Sequence, residues 1–385
     1  MRIVWNTIRL LAALALCAAA SLVFLPAPTI PLFKLSLVVT EYGQWLFLIP
    51  LTLALLPARH RPVNLFATAL AVIATVLFLS PAIRANAFAR RLPLELARAF
   101  PAASAVNGPS TSNVPFSWKK LWFAPRVPWV AYDRYIYATH ENQDLQLFYY
   151  RKGDSPAAPC VIVIHGGGWE DGSARQFPEL NQYLAGNGYA VADIEYRLAP
   201  RWIWPAQRED VLDAMEYLAR HAAELRLDPQ RFVLLGRSAG GQIAEAVAYG
   251  AHRPDIRGCI AFYAPADMHY AYEFGRADDI LNSLRLLRQY LGGTPVEARS
   301  NYDSASGLLL ANHESPPTLL LHGRCDEIAW FQQSQRLSDR LDTLGTPHFF
   351  VRLPWATHAF DYNFNGPGGQ ISTYAVDAFL AAVTR

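Results

Sequence analysis

Three long apolar runs, separated by breaks that contain arginine, lysine or proline, dominate the first part of the chain. The runs are residues 10–33, 35–56 and 62–83. Glu41 is the only charged residue inside them. Each run has roughly the 17–25 residues that a helix needs to cross a bilayer. The pattern therefore predicts an all-α membrane unit, residues 1–86, with transmembrane helices at about residues 10–27, 35–57 and 63–83.

Basic residues around these runs bear on the direction of insertion. An N-terminus inside the cell puts one basic group in the cytoplasm, namely Arg2, Arg9, Arg59 and Arg61. The same orientation leaves another group outside, namely Arg84, Arg90, Arg91 and Arg98. Because the first helix usually dominates insertion, the sequence favours a multi-pass protein of a bacterial inner membrane with its C-terminal unit outside the cytoplasm. Glu41 is expected at the membrane interface, at the start of the second helix.

Residues 87–128 are expected to connect the membrane unit to the rest of the chain. Residues 87–105 combine apolar positions with several arginines, which is typical of a short amphipathic helix on a membrane surface. Residues 107–115 are rich in Asn, Ser, Gly and Pro and have the composition of a linker.

The pattern changes at about residue 129, where short β-branched runs begin to alternate with amphipathic helical segments. The predicted strands are 132–138 and 145–151, an opening antiparallel pair, then 160–164, 189–195, 231–235, 259–263, 318–321 and 348–353. The predicted helices are 205–222, 239–249, 330–344 and 371–383. Such alternation indicates an α/β unit, residues 129–385, with a mostly parallel sheet covered by helices on both faces.

Composition and charge narrow the classes of partner. Hydrophobic residues make up 52% of the chain and charged residues 17%, which fits a protein with membrane segments. The net charge is only +2, but nine basic and two acidic residues lie in the first hundred positions. Because this basic region is also the apolar one, it fits the flanks of membrane helices, and nucleic acid is not an expected partner. The four cysteines are widely separated, which predicts neither a metal site nor a disulfide framework.

Gly236-Arg237-Ser238-Ala239-Gly240 lies where a predicted strand passes into a predicted helix. A serine at such a turn is held in a strained conformation that lifts its hydroxyl above the edge of the sheet. Small residues are needed around it because larger side chains would clash at so sharp a turn. The motif predicts that Ser238 is a nucleophile.

His165-Gly166-Gly167-Gly168-Trp169 follows the predicted strand at 160–164 directly. Consecutive glycines let the backbone turn its N–H groups towards an oxyanion that forms at the reacting carbonyl. Two pairs of amides satisfy the pattern, Gly166 with Gly167 or Gly167 with Gly168. Either pair would act together with the amide of Ala239.

A serine hydroxyl needs a base and an orienting carboxylate to attack efficiently, and the chain order of this arrangement is Ser, acid, His. Asp326 lies on a loop after the predicted strand 318–321, and His358 follows the strand 348–353. These two residues are the predicted acid and base. Glu327 is the alternative acid. Such a triad requires no metal and no organic cofactor.

Together these motifs resemble the hormone-sensitive-lipase-like and acetyl-esterase group of α/β-hydrolases, including the related feruloyl-esterase-like domains. The resemblance runs from about residue 145 to the C-terminus and is carried by His165 to Trp169, Tyr196 to Pro200, Pro205 to Val211, Arg231 to Gly241, Tyr263 to Asp267, His322 to Asp326 and His358 to Phe360. It implies an α/β-hydrolase fold, catalysis by Ser238, Asp326 and His358, and structural support from Arg197 and Asp210. The apolar N-terminal unit, Arg201 and Trp355 depart from the family pattern.

The implied activity is hydrolysis of a small or short-acyl ester by a membrane-anchored serine carboxylesterase. The alternatives are a serine peptidase or amidase on the same fold, an acyltransferase, and a non-catalytic membrane protein with a hydrolase-like domain. Aromatic side chains near the motif ends, above all Trp169, Trp330 and Trp355, are expected to line the substrate pocket. A cap-like insertion at about residues 268–313, with a helix near 280–291, is expected to limit the length of the acyl chain. The expected partners are the small ester and the membrane, and the sequence indicates no oligomeric state.

Overall fold

The computed structural model describes residues 2–57, 62–101, 114–151, 153 and 157–385. Its central feature is a sheet of eight strands: β1 (Tyr132–His140), β2 (Gln143–Tyr150), β3 (Ala158–Ile164), β4 (Ala190–Ile194), β5 (Leu227–Arg237), β6 (Ile256–Phe262), β7 (Thr318–Gly323) and β8 (His348–Leu353). They lie in the order β1-β2-β4-β3-β5-β6-β7-β8. The β1–β2 and β2–β4 pairs are antiparallel, and all other neighbours are parallel. The predicted α/β architecture is confirmed.

Helices precede the sheet and cover both of its faces. They are α1 (Arg2–Ala20), α2 (Ile30–Glu41), α3 (Gly43–Leu46), α4 (Leu48–Leu55), α5 (Pro62–Ala89), α6 (Leu92–Ala99), α7 (Trp118–Phe123), α8 (Pro178–Gly186), α9 (Ala206–Arg220), α10 (Ala222–Leu225), α11 (Ala239–Gly250), α12 (Met268–Phe274), α13 (Ser283–Leu291), α14 (Arg299–Ala305), α15 (Gly307–Leu310), α16 (Gln332–Leu344) and α17 (Pro367–Val383). Helices α12 to α15 connect β6 to β7, in the region where the sequence predicts a cap.

Alternating side chains of the central strands enter two separate cores. On β3, Cys160, Ile162 and Ile164 belong to the core on one face of the sheet, whereas Val161 and Val163 belong to the core on the other. This follows from the two-residue period of a strand. Because both faces are covered, β3 and β4 are apolar and buried almost throughout, as is usual for parallel strands.

The N-terminal helices match the three predicted spans in part. Among the described residues, two helices are long and apolar enough to cross a membrane, Val4–Val23 and Pro62–Ala89. The second predicted span is a pair of helices, Ile30–Glu41 and Gly43–Leu55, bent by 80°, which gives a third span if the pair crosses as one unit. At the break, a Cβ on Gly43 would lie 2.0 Å from the carbonyl oxygen of Phe78. Only glycine lets the chain approach α5 this closely, which fixes the position of the bend.

Arg9 lies inside the first helix rather than at its flank, where the sequence predicts it. Its side chain is buried and donates hydrogen bonds to the carbonyl of Leu53 (3.0 Å) and to Thr68 Oγ1 (2.9 Å). These contacts join α1 to α4 and α5. The guanidinium is tolerated in an apolar bundle because it finds acceptors on two neighbouring helices.

Helix α6 is also placed differently from the prediction of a membrane-surface helix at residues 87–105. Its buried residues Leu92 and Leu96, with Phe100 just after it, belong to the core on one face of the sheet. The ring of Phe100 packs on that of Phe379 of α17, with the centroids 5.0 Å apart. The apolar face of α6 therefore covers the sheet instead of lipid. The linker predicted at 107–115 lies almost wholly outside the described residues.

Candidate active site

Ser238 lies between the last residue of β5 and the first residue of α11. Its φ of 54° and ψ of −120° lie outside the regions that a non-glycine residue normally adopts. Glycine is needed beside it, because a Cβ on Gly240 would lie 2.2 Å from the carbonyl oxygen of Ile164 on β3. The turn is therefore the sharp strand-to-helix passage that the motif predicts, with the hydroxyl at the carboxyl edge of the sheet.

The structure brings the three residues predicted as nucleophile, base and acid into one hydrogen-bonded series. His358 Nε2 lies 2.9 Å from Ser238 Oγ, and His358 Nδ1 lies 2.7 Å from Asp326 Oδ2. With the Nδ1 proton directed at Asp326, Nε2 is free to accept the serine proton. This is the order of contacts that general-base activation of a serine requires.

Asp326 is the most heavily hydrogen-bonded carboxylate of this edge. Its Oδ1 accepts from the amides of Ile328 (2.8 Å) and Ala329 (3.0 Å), and its Oδ2 also lies 3.1 Å from His322 Nε2. Burial acts to raise the pKa of Asp326, but the charge of His358 and the hydrogen bonds from His322 and His358 outweigh it and hold that pKa well below its usual range. Asp326 is thus kept ionised beside His358.

Glu327, the alternative acid, is half-buried and makes no hydrogen bond to His358 in the part of the chain that the structure describes. Burial and the neighbouring Asp326 charge raise the pKa of Glu327. The geometry therefore favours Asp326 over Glu327 as the partner of the histidine.

The glycine loop lies next to Ser238, since Gly168 lines the same pocket as Ser238 and Ala239. The Gly166 amide is already used, since it donates to Gln176 Oε1 at 3.1 Å. Gly167 and Gly168 have φ values of 124° and 59°, which only glycine adopts without strain. The structure gives no partner, within the described residues, to the amides of Gly167, Gly168 or Ala239. Of the two predicted pairs, the geometry favours Gly167 with Gly168, and Gly166 has a supporting position.

A small apolar pocket with an accessible volume of about 60 Å³ opens beside Ser238. Trp169 and Trp330 line this pocket, as the sequence predicts, together with Leu286 and Leu287 of α13. Trp169 is held in place by stacking on Tyr290 with 4.3 Å between the ring centroids.

Trp355 is a correction to the predicted pocket. Its indole is completely buried in the core beneath β8, among side chains of the sheet and α17, and it does not line the pocket. This packing explains why a large aromatic residue precedes the histidine, because its side chain fills space in the core and not in the pocket.

Sequence analysis missed a polar group directly beneath the histidine. Asp361 accepts hydrogen bonds from Arg237 Nε (2.6 Å) and from the Tyr263 hydroxyl (2.6 Å). The ring of Tyr263 in turn packs on His358, with the centroids 4.4 Å apart. Arg237 occupies the variable position of the serine motif, and nothing local in the sequence indicates that its partner lies on the histidine loop.

Arg197 and Asp210, which the family resemblance implies as supports, contact each other away from the serine. Both carboxylate oxygens of Asp210 accept from Arg197, at 2.7 Å from its amide and 2.7 Å from Nε. His140, Asp210 and Asp213 form the one cluster among the described residues with the spacing of a cation site. Because Arg197 already neutralises Asp210, the cluster is satisfied by protein contacts.

Known proteins resemble this chain over most of its α/β unit. Residues 145–341 match the BD-FAE family. The probable carboxylic ester hydrolase LipM of Mycobacterium tuberculosis is 29% identical over 274 residues, which cover 66% of this chain and 60% of that protein. The match to esterase LipQ of the same organism covers 51% of the relative. The chain therefore spans only about half to two thirds of the length of such curated relatives.

Solved structures share the fold. Esterase B of Lactobacillus rhamnosis aligns with a TM-score of 0.58 and 23% identity, over 68% of this chain and 90% of that one. A bacterial heroin esterase aligns with a TM-score of 0.57 and 21% identity, over 66% of this chain and 85% of that one. The predicted resemblance is confirmed: since the family match covers just over half of its residues, the chain belongs to the BD-FAE family and has the α/β-hydrolase fold.

Proposed function

We propose that this protein is a membrane-anchored serine carboxylesterase that hydrolyses small or short-acyl esters through an acyl-enzyme. The observation that carries the proposal is the continuous series from Ser238 Oγ through His358 to Asp326, with contacts of 2.9 and 2.7 Å. The relatives named as ester hydrolases support the same activity.

In the proposed cycle His358 Nε2 takes the proton of Ser238 as the hydroxyl attacks the ester carbonyl. The amides of Gly167, Gly168 and Ala239 stabilise the oxyanion, and Ala239 adds the positive end of helix α11. His358 then donates its proton to the leaving alcohol. Water attacks the acyl-enzyme by the same route in reverse, while Asp326 keeps the histidine in the required tautomer.

The pocket supports a neutral and compact substrate. Among the residues that the structure describes, its lining contains no charged side chain and is apolar at Leu281, Leu286, Leu287 and Ile328. An apolar pocket of this size favours a short acyl or alkyl group over a charged peptide. The acyl chain would be limited by α13, which lies across the pocket where the sequence predicts a cap.

Replacing Ser238 tests the function. In the full-length protein, Ser238→Ala is expected to lower kcat for a short-chain aryl ester by on the order of 10⁴-fold or more. Ser283→Ala, a second pocket serine that makes no contact with His358, is the matched control and should keep kcat within a few fold. Full turnover by Ser238→Ala would refute the proposal, and faster hydrolysis of a matched amide than of the ester would redirect it to an amidase.

The N-terminal unit is proposed to anchor the enzyme through α1, α5 and the bent pair of α2 with α3 and α4. Following the first helix, we place residues 129–385 outside the cytoplasm. The test is a fusion after Arg385 of a reporter enzyme that works only outside the cytoplasm. This fusion should show reporter activity. If that fusion is inactive and a fusion to a reporter that works only in the cytoplasm is active, the proposed orientation is wrong.

A further inference from the structure

Glu41 connects the N-terminal unit to the segment that carries His358. It is the last residue of α2 and its side chain is completely buried. Its Oε2 accepts from the amide of Gly368 (3.1 Å), and its main-chain carbonyl accepts from Asn363 Nδ2 (2.8 Å). The sequence predicts an interfacial position for this residue, at the start of the second helix. The structure instead places the carboxylate against the catalytic unit.

The receiving helix lacks a cap of its own. Helix α17 begins at Pro367, and its N-cap residue Gly366 has no side chain with which to accept a hydrogen bond. The first N–H groups of a helix have no partners within the helix, and a carboxylate there is stabilised by both hydrogen bonding and the helix dipole. A Cβ on Gly366 or Gly368 would lie 2.3 or 2.9 Å from a Glu41 carboxylate oxygen. These two glycines therefore leave room for Glu41, which caps α17 from a distant part of the chain.

The same segment is held at its other end beneath the histidine. Asp361 is bound by Arg237 and Tyr263, and the Tyr263 ring packs on His358. Residues 358–368 are thus fixed at two places, at Asp361 and at the joint with Glu41. Asp361 lies inside the short 3-10 turn Phe360–Tyr362, and residues 363–366 form turns and bends that lead into α17.

A second contact of the N-terminal unit reaches the loop that carries the acid. The Cys325 thiol, one residue before Asp326, lies 3.8 Å from the carbonyl of Val23. Both loops that bring partners to Ser238 therefore touch the part of the chain that precedes α5, at Val23 in a 3-10 turn after α1 and at Glu41 in α2.

We infer that Glu41 is a positioning residue for His358, so that the N-terminal unit sets the geometry of the catalytic histidine as well as attaching the protein to the membrane. This inference rests on the proposed function, because it concerns the base of that reaction. Without the carboxylate, the start of α17 loses its cap at Gly368. The link from the N-terminal unit to the segment that follows His358 is then reduced to the bond between Asn363 and the main-chain carbonyl of Glu41. His358 is not among the residues that line the pocket, so a displacement of its ring by a fraction of an ångström preserves substrate binding while proton transfer slows.

The test uses the full-length protein in detergent and a short-chain aryl ester. Glu41→Ala is expected to lower kcat by about 10- to 100-fold with KM changed less than about two-fold. Glu41→Gln keeps an acceptor for the Gly368 amide and should recover most of the loss. The rate at which a fluorophosphonate labels Ser238 should fall in parallel with kcat.

Thr40→Val is the matched control. Thr40 is equally buried, is the neighbour of Glu41, and its hydroxyl bonds only to carbonyls of its own helix, those of Ser36 and Leu37. It should keep kcat within about two-fold. Asn363→Ala removes the other half of the joint from the catalytic side, and its effect should be less than additive with that of Glu41→Ala.

The outcomes separate the inference from the function. If the wild type neither hydrolyses esters nor labels at Ser238, the proposed function fails first. With an active wild type, unchanged kcat in Glu41→Ala, or an equal loss in Thr40→Val, overturns the role of Glu41. Should Glu41→Ala fail to fold, as seen by melting temperature and gel filtration, Glu41→Gln and Asn363→Ala decide: wild-type kcat in Asn363→Ala, which lacks one hydrogen bond of the joint, overturns the inference.

Discussion

The carboxyl edge of the sheet and the N-terminal helices are built under different constraints. At the edge, a single added methyl group on Gly240 would overlap the backbone of β3, and three side chains meet through contacts of 2.7–2.9 Å. In the helices, apolar residues pack against one another or remain exposed. A few polar residues, such as Arg9 and Glu41, form the specific hydrogen bonds that join one helix to another. Close backbone approach restricts residue type strongly, whereas apolar packing mainly restricts length and composition.

The largest effect expected at the edge concerns the acid. Asp326→Asn keeps the shape of the side chain but removes the charge that orients and stabilises His358, so kcat should fall by roughly 10⁴-fold. Glu327→Gln, the adjacent control, should change kcat by less than about three-fold because its carboxylate does not contact the histidine. Steady-state kinetics of both variants check this. A larger loss of kcat in Glu327→Gln than in Asp326→Asn would make Glu327, and not Asp326, the acid that orients His358.

Helix α6 sharpens the comparison. It lies in the N-terminal part of the chain, but its side chains pack in the core of the catalytic unit. Leu92 is completely buried in the core of the sheet, whereas Leu94 on the same helix is 57% exposed. Leu92→Ala should destabilise the protein by about 2–5 kcal/mol through lost burial and a cavity. Leu94→Ala should cost less than about 0.5 kcal/mol.

Denaturant or thermal unfolding of the full-length protein, followed by the signal of the catalytic unit, measures both variants. Equal stabilities of Leu92→Ala and Leu94→Ala would mean that α6 is not part of the core. In that case the membrane-surface position predicted from the sequence would have to be restored.

The smallest expected effect is on how the melting temperature changes with pH, through Asp193 of β4. Burial raises the pKa of Asp193 to about 7 from its ordinary value of 3.8. The folded protein therefore binds this proton more tightly than the unfolded chain, and wild-type stability falls as the pH rises from about 4 to about 7. Asp193→Asn removes this titration, so its melting temperature relative to the wild type should be higher at about pH 8 than at about pH 4.5. A constant difference across that interval would contradict a raised pKa.

The same contrast explains what could be predicted from the sequence. Ser238, His358 and the glycine loop lie in short motifs whose residue types are dictated locally by backbone geometry, and the alternation of strands and helices predicts the sheet. The choice between Gly166 and Gly168 as oxyanion donor depends on Gln176, ten residues away, for which the sequence has no signal. The bend after Glu41 depends on the approach of Gly43 to Phe78, which hydropathy does not report.

Contacts between segments that are far apart in the chain cannot be predicted from the sequence for the same reason. Arg237 and Asp361 are 124 positions apart, and Glu41 and Gly368 are 327 apart. Each looks unremarkable in its own segment, since a basic residue beside a serine and an acid at a helix end are both common. The predicted pocket position of Trp355 is wrong, because the place of this residue next to the histidine motif suggests the pocket, whereas its side chain packs in the core.

Trapping the acyl-enzyme tests the central claim most directly. Full-length protein mixed with an activated short-chain aryl ester, quenched in acid within the first turnover and digested, should carry the acyl group on the peptide that contains Ser238. The same experiment on Ser238→Ala should yield no acyl peptide and no burst of product. Hydrolysis that proceeds without an acylated Ser238, or an acyl group found on another residue, would contradict the account.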